Sequence, residues 1–568
     1  MRQGNPDGRR NRDCRQLLAV CLAIGLISQA CSAAMMGGSL PGPRTRAERT
    51  GYRETSHYTD VIAFIDSLRG RPELAFGSMG RTSEGREIPY VIASRPRVTS
   101  PAEARQSRRP IVYVQGNIHA GEIEGKEALL ALLRDLTGSR RANVLDSVVL
   151  IAVPIYNADG NERFASQQTN RGSQNGPEMV GQRTNAQGLD LNRDYVKAEA
   201  PETRAALAMF NAWDPDLFVD LHTTNGSYHG YALTYAPPLN PASPLGAFTR
   251  DSLMPVLRRR MRDRHRLATF DYGDFVSDDT LSKGWATFDP RPRFGTNYYG
   301  VRGRIGILSE AYSHDPLERR IASTYAFVRE ILSLSAERGA RIRFLSQSAE
   351  SFGIMRVVNP PPASAPRDPF RVRRRRVIPL RSRSAAAPES ASVVAEIIER
   401  TGDSTRTEAG VPPGRRRSGR FITVRMPVFD RFTPTVWQTE PDSYILPAAD
   451  TQAVRLLRAH GVIVQTLERQ WQGAADAFAV DSVITSQRAF QGHRETRVEG
   501  RWLASEHTFP AGSFIVHTEQ PRGLLAMYLI EPQSDDGLVT WNFFDHSLKA
   551  GATFPALRVM STLTAATP

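Results

Sequence analysis

Residues 111–136, IVYVQGNIHAGEIEGKEALLALLRDL, decide the fold of this chain. The β-branched and aromatic run Ile111 to Val114 ends at a Gln-Gly-Asn turn and predicts a strand. Beyond the turn, Glu127 to Leu136 carries apolar residues at helical spacing, so a helix follows closely. His119 and Glu122 lie on the strand-to-helix connection. Open α/β sheets place their binding crevices at such strand ends.

Two later residues complete a group with metal-ligand chemistry. The largely apolar run Leu217 to Leu221 predicts another strand with His222 at its end, and Glu310 lies in the string GILSEAY. Two imidazoles and a carboxylate suit a zinc ion that keeps one position open, and a further Glu can act as base for its water. A His three residues from a Glu is, taken alone, more often a solvated turn or a salt link. The hypothesis therefore depends on additional motifs.

Two such motifs lie between these residues, YNADG at 156–160 after an apolar run and DLNRD at 190–194. Together with the HxxE motif, the strand-end His and the final Glu, they occur in the order found in zinc carboxypeptidases. From Tyr52 to Ser335 the chain resembles that family, in which zinc is held by two histidines and one glutamate. The resemblance implies an α/β domain with a mixed central sheet flanked by helices.

The resemblance also implies a role for each matching residue at the metal. His119, Glu122 and His222 would hold zinc, one ion per chain, and Glu310 would be the general base for a zinc-activated water. Asp190 would accept a hydrogen bond from the first His and so fix its tautomer. A structural turn aspartate explains Asp190 equally well.

Further matching residues would contact the substrate. Asn192 and Arg193 would bind its terminal carboxylate, because arginine presents a planar fork of donors that matches a carboxylate. The arginine that polarises the scissile carbonyl in the family matches Arg183, with Arg171 as the alternative.

A tyrosine ahead of the catalytic Glu often closes over the substrate in this family. The string GTNYYGVRG offers Tyr298 and Tyr299, and Tyr299 is the preferred match. An aromatic side chain packed in a loop is an equally good interpretation of either residue.

The length of 568 residues, 40% of them hydrophobic, is enough for more than one core. We predict an α/β catalytic domain followed by a smaller β-rich domain. The predicted segments are a signal peptide (1–33), a short N-terminal extension (34–51), the zinc carboxypeptidase-like domain (52–345), a Pro/Arg/Ser-rich linker or insertion (346–420) and a β-rich accessory domain (421–568).

The N-terminus has the layout of a secretory signal peptide. Arginines precede the short apolar run Leu17 to Ile27, and small residues follow. We therefore expect an exported protein, periplasmic or extracellular. Lipidation at Cys31 and plain cleavage near Ala33 are competing expectations, because Ser28 replaces the usual aliphatic residue of a lipoprotein signal. The cysteines are confined to this region, so disulfides and thiolate zinc ligands are not expected in the mature body: Cys14, Cys21 and Cys31.

Basic runs mark the predicted linker. Three prolines at 360–362 are followed by arginines at 373–376 and again at 415–417. These runs contribute much of the formal net charge of +14, which is more typical of solvation or of contact with anionic envelope surfaces than of nucleic-acid binding. We expect no nucleic-acid partner.

From Phe421 onward, short alternating runs separated by Pro and Gly predict a β-rich module with one or two helices. The string LIEPQSDDGLVTWN at 529–542 resembles C-terminal regions attached to bacterial members of the same broad family. Its acidic pair, Asp535 and Asp536, could bind calcium but is more typical of a turn.

These observations favour an exported zinc metallopeptidase that removes residues from peptides with a free C-terminal carboxylate. One alternative keeps the zinc and acts as an amidase on cell-wall peptides or N-acyl amino acids. Another is a non-catalytic envelope-binding protein, but such a protein has no need for Glu310. The sequence indicates neither the preferred side chain nor the oligomeric state.

Overall fold

The computed structural model describes residues 42–138, 141–277, 280–352, 375–402, 411 and 414–560. The predicted signal peptide, the lipidation candidate Cys31 and residues 353–374 of the predicted linker lie outside the described residues. Within the described part of the chain, no helix combines the length and apolar character needed to cross a bilayer.

Helices are distributed along the whole described chain. They are α1 (Arg46–Arg49), α2 (Tyr58–Ser67), α3 (Pro101–Gln106), α4 (Glu124–Leu136), α5 (Ala158–Glu162), α6 (Gln167–Arg171), α7 (Pro201–Trp213), α8 (Gly246–Phe248), α9 (Met254–His265), α10 (Gly295–Val301), α11 (Leu317–Glu337), α12 (Gly339–Phe352), α13 (Thr451–Ala459) and α14 (Gly523–Ile530). Short 3₁₀ turns occur at Val144–Asp146, Leu191–Arg193 and Leu281–Lys283, and a π-helical turn occurs at Thr249–Leu253.

Strands fall into two groups. The first group is β1 (Leu74–Arg81), β2 (Glu87–Ala93), β3 (Ile111–Gly116), β4 (Val149–Val153), β5 (Ala165–Ser166), β6 (Met179–Val180), β7 (Leu217–Thr223), β8 (Leu233–Ala236), β9 (Thr269–Asp271), β10 (Asp274–Phe275), β11 (Trp285–Ala286) and β12 (Ile305–Ala311). The second group is β13 (Val377–Ala385), β14 (Ala391–Arg400), β15 (Arg415–Met426), β16 (Val428–Phe429), β17 (Arg431–Thr439), β18 (Ser443–Leu446), β19 (Gln465–Thr466), β20 (Trp471–Thr485), β21 (Thr496–Phe509), β22 (Phe514–His517) and β23 (Leu557–Val559).

A mixed sheet of eight strands, in the order β1-β2-β4-β3-β7-β12-β8-β9, forms the centre of the predicted catalytic domain (52–345), which is called the catalytic region. The pairs β4/β3, β3/β7 and β7/β12 are parallel, whereas β1/β2, β2/β4 and β12/β8 are antiparallel. The predicted α/β class with a mixed central sheet is confirmed. Since β3, β7 and β12 are parallel neighbours, their carboxyl ends meet at one edge of the sheet.

The inner strands are buried on both faces, which explains their nearly continuous apolar sequences. On one face Tyr113 and Phe218 belong to one hydrophobic cluster, and on the other Val112 and Val219 belong to a second cluster. Helices on both faces exclude water from the sheet. This packing gives the connections at the sheet edge a rigid base.

The β-rich region predicted from Phe421 onward is confirmed. Strands β18 to β23 form a six-stranded sheet in the order β19-β22-β18-β23-β20-β21. Together with α13 and α14 it is called the C-terminal module here. Its long hairpin β20–β21 joins Trp471 to Phe509 and ends in the connection at 486–495.

Part of the predicted linker at 346–420 is folded. Strands β14 and β15 form a hairpin that bonds to the catalytic region, where Gly230 N donates to Val394 O (2.9 Å) and Glu396 N donates to Tyr228 O (2.8 Å). Of the two interpretations, a linker or an insertion, these strands fit a folded insertion and not an exposed linker. Arginines on the outer face, several of them paired with glutamates of the same hairpin, obscure the alternation that buries Val393 and Ala395.

Candidate active site

The predicted metal ligands converge at the carboxyl ends of β3 and β7. His119 and Glu122 lie on the turn between β3 and α4, and His222 lies on β7 itself. One ligand atom from each of the three lies within 4.8 Å of the others, and all three side chains are buried. Within the described part of the chain, no other cluster of three or more His, Cys, Asp or Glu side chains could hold a metal ion.

Both histidines present the same ring nitrogen to the shared carboxylate. The Nδ1 atoms of His119 and His222 lie 3.0 Å and 2.9 Å from Glu122 Oε1 and Oε2. Their Nε2 atoms face two aspartates, Asp190 Oδ1 at 3.0 Å from His119 and Asp220 Oδ2 at 3.1 Å from His222. A carboxylate at the outer nitrogen fixes the tautomer and leaves Nδ1 free to bind a metal.

Asp220 is a residue that the sequence analysis missed. It lies two positions before His222 on β7, so the two side chains leave the strand on the same side. Gln115 on the adjacent β3 donates its Nε2 to Asp220 Oδ1 at 3.0 Å and orients the carboxylate. The Asp-x-His spacing within a predicted strand was the signal that could have revealed it.

Opposing charges hold the ligand carboxylate ionised. Burial opposes ionisation of Glu122, but Arg171 and His119 lower its pKa well below the usual value. Burial likewise opposes the charged form of His222, yet Asp220 and Glu122 raise the pKa of this imidazole. Glu122 is therefore available as a charged ligand for a cation.

Glu310 lies on β12, beside the three candidate metal ligands His119, Glu122 and His222, which are called the metal group. It is the Cα partner of His222 on the adjacent strand, and its side chain is almost completely buried. Burial raises the pKa of Glu310 to about 8; His222 opposes this shift and the Glu122 carboxylate adds to it. The atom Oε2 has no hydrogen-bond partner among the described residues. A buried carboxylate oxygen without a partner is suited to accept a proton from a bound water.

Asn192 and Arg193 lie on the 3₁₀ turn Leu191–Arg193, which is capped by Asp190, whose Oδ1 accepts a hydrogen bond from Asn192 N at 3.0 Å. Gly295 N donates to Asn192 Oδ1 at 2.9 Å. The Arg193 guanidinium lies 4.1 Å from the centre of the Phe294 ring. Within the described chain no carboxylate lies at ion-pair distance from Arg193, and burial lowers its pKa. A desolvated guanidinium without an acidic partner is suited to bind a carboxylate ligand.

Arg183 and Arg171 both reach the metal group. Arg183 contacts Asp190 Oδ2 through Nε at 3.0 Å, and its Nη1 lies 3.5 Å from Glu122 Oε1. Arg171 Nη2 lies 3.1 Å from Glu122 Oε1 and donates to the carbonyl of Thr224 at 3.0 Å. The Arg183 side chain is 35% exposed and that of Arg171 is 11% exposed, so Arg183 is the more accessible.

The structure does not bring Tyr299 to this site, which corrects the expectation that it closes over a substrate. Tyr299 is fully buried on α10, stacked 3.8 Å from the Phe210 ring and 4.1 Å from the Phe218 ring. Its neighbour Tyr298 is also buried and donates its hydroxyl to His460 Nδ1 at 2.6 Å. Both tyrosines are buried between α10 and the sheet, so they belong to the hydrophobic core.

A different tyrosine lies near the catalytic group. Tyr272, just after β9, accepts a hydrogen bond on its hydroxyl from Asn225 Nδ2 at 2.8 Å. Burial raises the pKa of Tyr272 well above its usual value, and the Glu310 carboxylate adds to that shift. The phenol therefore stays protonated beside Glu310. Sequence analysis did not single it out because it belongs to no motif.

The acidic pair considered for calcium has other partners. Asp536 accepts hydrogen bonds from Arg293 and from Trp541 Nε1, and Asp535 accepts one from the Tyr528 hydroxyl. These contacts belong to the packing of the C-terminal module. The calcium interpretation has no support here.

Comparisons with known proteins agree with the site. Residues 61–243, which include His119, Glu122 and His222, match the family described as zinc carboxypeptidase. A carboxypeptidase 2 of Trichophyton tonsurans is 24% identical over 84% of this chain and 81% of its own length, and one of Trichophyton rubrum is 23% identical over 91% and 89%. Human carboxypeptidase D is 33% identical over 26% of this chain and 10% of its own.

Solved structures are similar over about half of the chain. A metallo-carboxypeptidase from Burkholderia cenocepacia covers 50% of this chain and 70% of its own at 19% identity and a TM-score of 0.36. A carboxypeptidase A from Helicoverpa armigera covers 55% and 81% at 14% identity and a TM-score of 0.37.

The match of residues 61–243 to the zinc carboxypeptidase family and the similarity of most of the chain to relatives named carboxypeptidase point to the same kind of enzyme. The chain is a metallopeptidase of the carboxypeptidase type.

Proposed function

We propose that this chain removes residues from the free C-terminus of peptides, using one zinc ion and Glu310 as the general base. The observation that carries the proposal is the convergence of the ligand atoms of His119, Glu122 and His222 beside a buried Glu310 on the adjacent strand. Two imidazole nitrogens and one carboxylate fit zinc and leave one position open. Zinc bound there would acidify a water and polarise the carbonyl of the substrate.

Glu310 supplies the proton transfers. Its carboxylate takes one proton from the attacking water and returns it to the nitrogen of the leaving amine, so the base is regenerated. The carboxyl oxygen without a hydrogen-bond partner supports this role. It also argues against a non-catalytic binding protein, because burying an unpartnered carboxylate is costly without a function.

Arg193 and Asn192 hold the end of the substrate. Within the described chain no carboxylate competes for the donors of the Arg193 guanidinium, which lies over the Phe294 ring. A peptide with a free terminal carboxylate would satisfy its donors as a bidentate pair. This favours a carboxylate-bearing substrate over a blocked one.

Arg183 stabilises charge on the scissile carbonyl. It approaches the metal group from the exposed side, whereas Arg171 is occupied by backbone carbonyls of the strand end. A donor aimed at the developing oxyanion accelerates acyl transfer. Arg171 forms an ion pair with the Glu122 carboxylate and so keeps it ionised.

Metal dependence tests the zinc and its number. The purified full-length protein is stripped with a chelator, and zinc is added back in fractions of one equivalent while peptide hydrolysis is followed. We expect no activity without metal and saturation near one zinc per chain. Full activity in the stripped protein, or saturation only at two equivalents, would contradict the proposal. A His222→Ala variant provides the control for zinc bound elsewhere.

A further inference from the structure

The C-terminal module contacts the segment that carries Asn192 and Arg193, although it is about three hundred residues away in sequence. Asp190 N donates to the side chain of Gln491, which lies at the end of the hairpin β20–β21 (2.9 Å, a separation of 301 residues). His493 in the same turn bridges Glu199 Oε1 (2.8 Å) and Asn542 Oδ1 (2.9 Å). The hairpin end is therefore attached at Asp190, the first residue of the DLNRD motif, and at Glu199, five residues beyond its end.

The backbone of this hairpin end holds Gln491 in a conformation that glutamine rarely adopts. Phe490 and His493 exchange backbone hydrogen bonds of 2.7 Å and 3.0 Å around the two residues Gln491 and Gly492. Both of these residues have positive φ, 51° and 83°. Such two-residue turns favour Asn-Gly, and glutamine is poorly suited to the left-handed region. Glutamine does reach Asp190 N, and the strain is consistent with a functional position.

A second set of contacts joins the module to Arg293, which directly precedes the residues that contact Asn192 and Arg193. Arg293 is 2% exposed and donates to Asp536 through its backbone N (2.6 Å), Nε (2.9 Å) and Nη2 (2.7 Å). Its Nη1 donates to Glu495 Oε1 at 2.6 Å. The guanidinium also lies over the rings of Phe490 (5.3 Å) and Trp541 (4.6 Å).

The residues that follow Arg293 contact the predicted substrate-binding pair directly. Phe294 lies under the Arg193 guanidinium, and Gly295 N donates to Asn192 Oδ1. Asp536 fixes the backbone immediately before them by accepting the hydrogen bond from Arg293 N. The orientation of Asn192 and Arg193 thus depends on two contacts of the module, that of Gln491 with Asp190 and that of Asp536 with Arg293.

We propose that the C-terminal module is part of the substrate-binding site, in which Gln491 and Asp536 position Asn192 and Arg193 for the terminal carboxylate. The inference rests on the proposed function, because it assumes that this pair binds the end of a peptide. Gln491 and Asp536 are positioning residues, since they act through the 190–193 turn and the 293–295 segment. Loss of either contact weakens binding of free-ended peptides and leaves the chemical step intact.

The test uses Gln491→Asn and Asp536→Asn in the full zinc-loaded chain. Gln491→Asn keeps an amide and suits the turn better than glutamine, but its shorter side chain no longer reaches Asp190 N. Matched controls are Gln487→Asn in the same connection, where the side chain is exposed, and Asp481→Asn on β20, where the side chain is 52% exposed. Arg193→Ala serves as the reference for loss of carboxylate binding, and thermal unfolding of each variant reports on the fold.

We expect Gln491→Asn to raise KM for free-ended peptides about 3–10-fold, as for loss of one neutral hydrogen bond, with kcat changed less than about twofold. Asp536→Asn raises KM about tenfold or more, because it removes a charged partner from a buried arginine. The controls leave both constants unchanged.

An unchanged KM in folded Gln491→Asn would overturn the inference, and this variant decides the question if Asp536→Asn fails to fold. Equal loss of kcat with KM unchanged would also overturn it. If the wild-type protein cleaves no free-ended peptide, the proposed function fails. If the wild type is active and Arg193→Ala raises KM while the two module variants do not, only the inference about the module fails.

Discussion

Glu310 and His222 are opposite each other on the parallel strands β12 and β7, so the predicted base and one predicted metal ligand have a fixed separation. Both strands are buried along their whole length, and the register continues from Ile305 and Leu217 to their ends. Movement of one residue relative to the other would require the central sheet to shift. The pair is therefore preorganised for proton transfer beside a metal.

Replacing Glu310 by glutamine should abolish turnover without removing zinc. The amide keeps the size of the side chain but cannot accept the proton of the attacking water, so kcat should fall by about 10²–10⁴. Zinc content, measured by atomic emission, should match the wild type. Glu337→Gln is the matched control, since that side chain is 50% exposed and pairs with Arg260 on another helix. Wild-type turnover in Glu310→Gln would remove this residue from the mechanism.

Asp220→Asn should weaken zinc binding although Asp220 is not a ligand. The carboxylate faces His222 Nε2 and favours the tautomer that leaves Nδ1 for the metal. Loss of such a partner typically lowers metal affinity about 10–100-fold. The measurement is competition for zinc against a chelator of known affinity, with Asp66→Asn, whose side chain is 49% exposed, as control. Equal affinity in the two variants would show that Asp220 has no influence on the metal.

Arg193→Ala should discriminate between free and amidated peptide ends. Removal of one partner from a buried, charge-assisted pair costs about 2–5 kcal/mol, so kcat/KM for free-ended peptides should fall accordingly. Amidated peptides lack the charge that Arg193 would bind and should be affected little. Arg193→Lys should be intermediate, because lysine keeps the charge and loses the planar fork. An equal decrease for both classes of peptide would contradict the role of Arg193.

His460 should make the contact between the module and the catalytic region sensitive to acid. Its Nε2 donates to Val196 O (2.8 Å) while Nδ1 accepts from the Tyr298 hydroxyl, and burial lowers its pKa to about 4. Because the folded pKa lies below the unfolded value of about 6.5, the unfolded chain binds a proton first as pH falls. The stabilising contribution of neutral His460 is complete above pH 6.5 and is lost as pH falls towards 4.

A His460→Gln variant isolates this effect. The destabilisation caused by the substitution should be smaller at pH 5 than at pH 7.5, by about 1–2 kcal/mol of unfolding free energy. Denaturant unfolding of both proteins at the two pH values gives this difference. A destabilisation that is the same at both pH values would show that His460 does not titrate between them.

Local patterns were sufficient to predict the centre of the fold. The strand, turn and helix from Ile111 to Leu136 have clear periodicity, and the structure has β3 and α4 at these positions. The convergence of the three candidate ligands could be predicted because each follows or ends a strand, where parallel strands meet at one edge. Arg183 lies beside Asp190, and its role at the substrate carbonyl stays a prediction.

Features that depend on contacts between distant segments were not predictable from local sequence. The orientation of Tyr299 is set by the packing of α10 on Phe210 and Phe218, and its sequence is equally typical of an exposed loop. The hairpin β14–β15 has an arginine-rich outer face, so its composition is typical of a linker. The contact between Gln491 and Asp190 spans 301 residues, and neither residue belongs to a pattern that includes the other.

A mass-spectrometric time course of the zinc-loaded protein, with matched peptides that carry free or amidated C-termini, tests directly whether this chain is a carboxypeptidase. We expect stepwise loss of C-terminal residues from the free-ended peptides alone, and the spectra would also give the side-chain preference. With zinc confirmed bound, cleavage of neither peptide, or equal cleavage of both, would contradict a carboxypeptidase that recognises a terminal carboxylate.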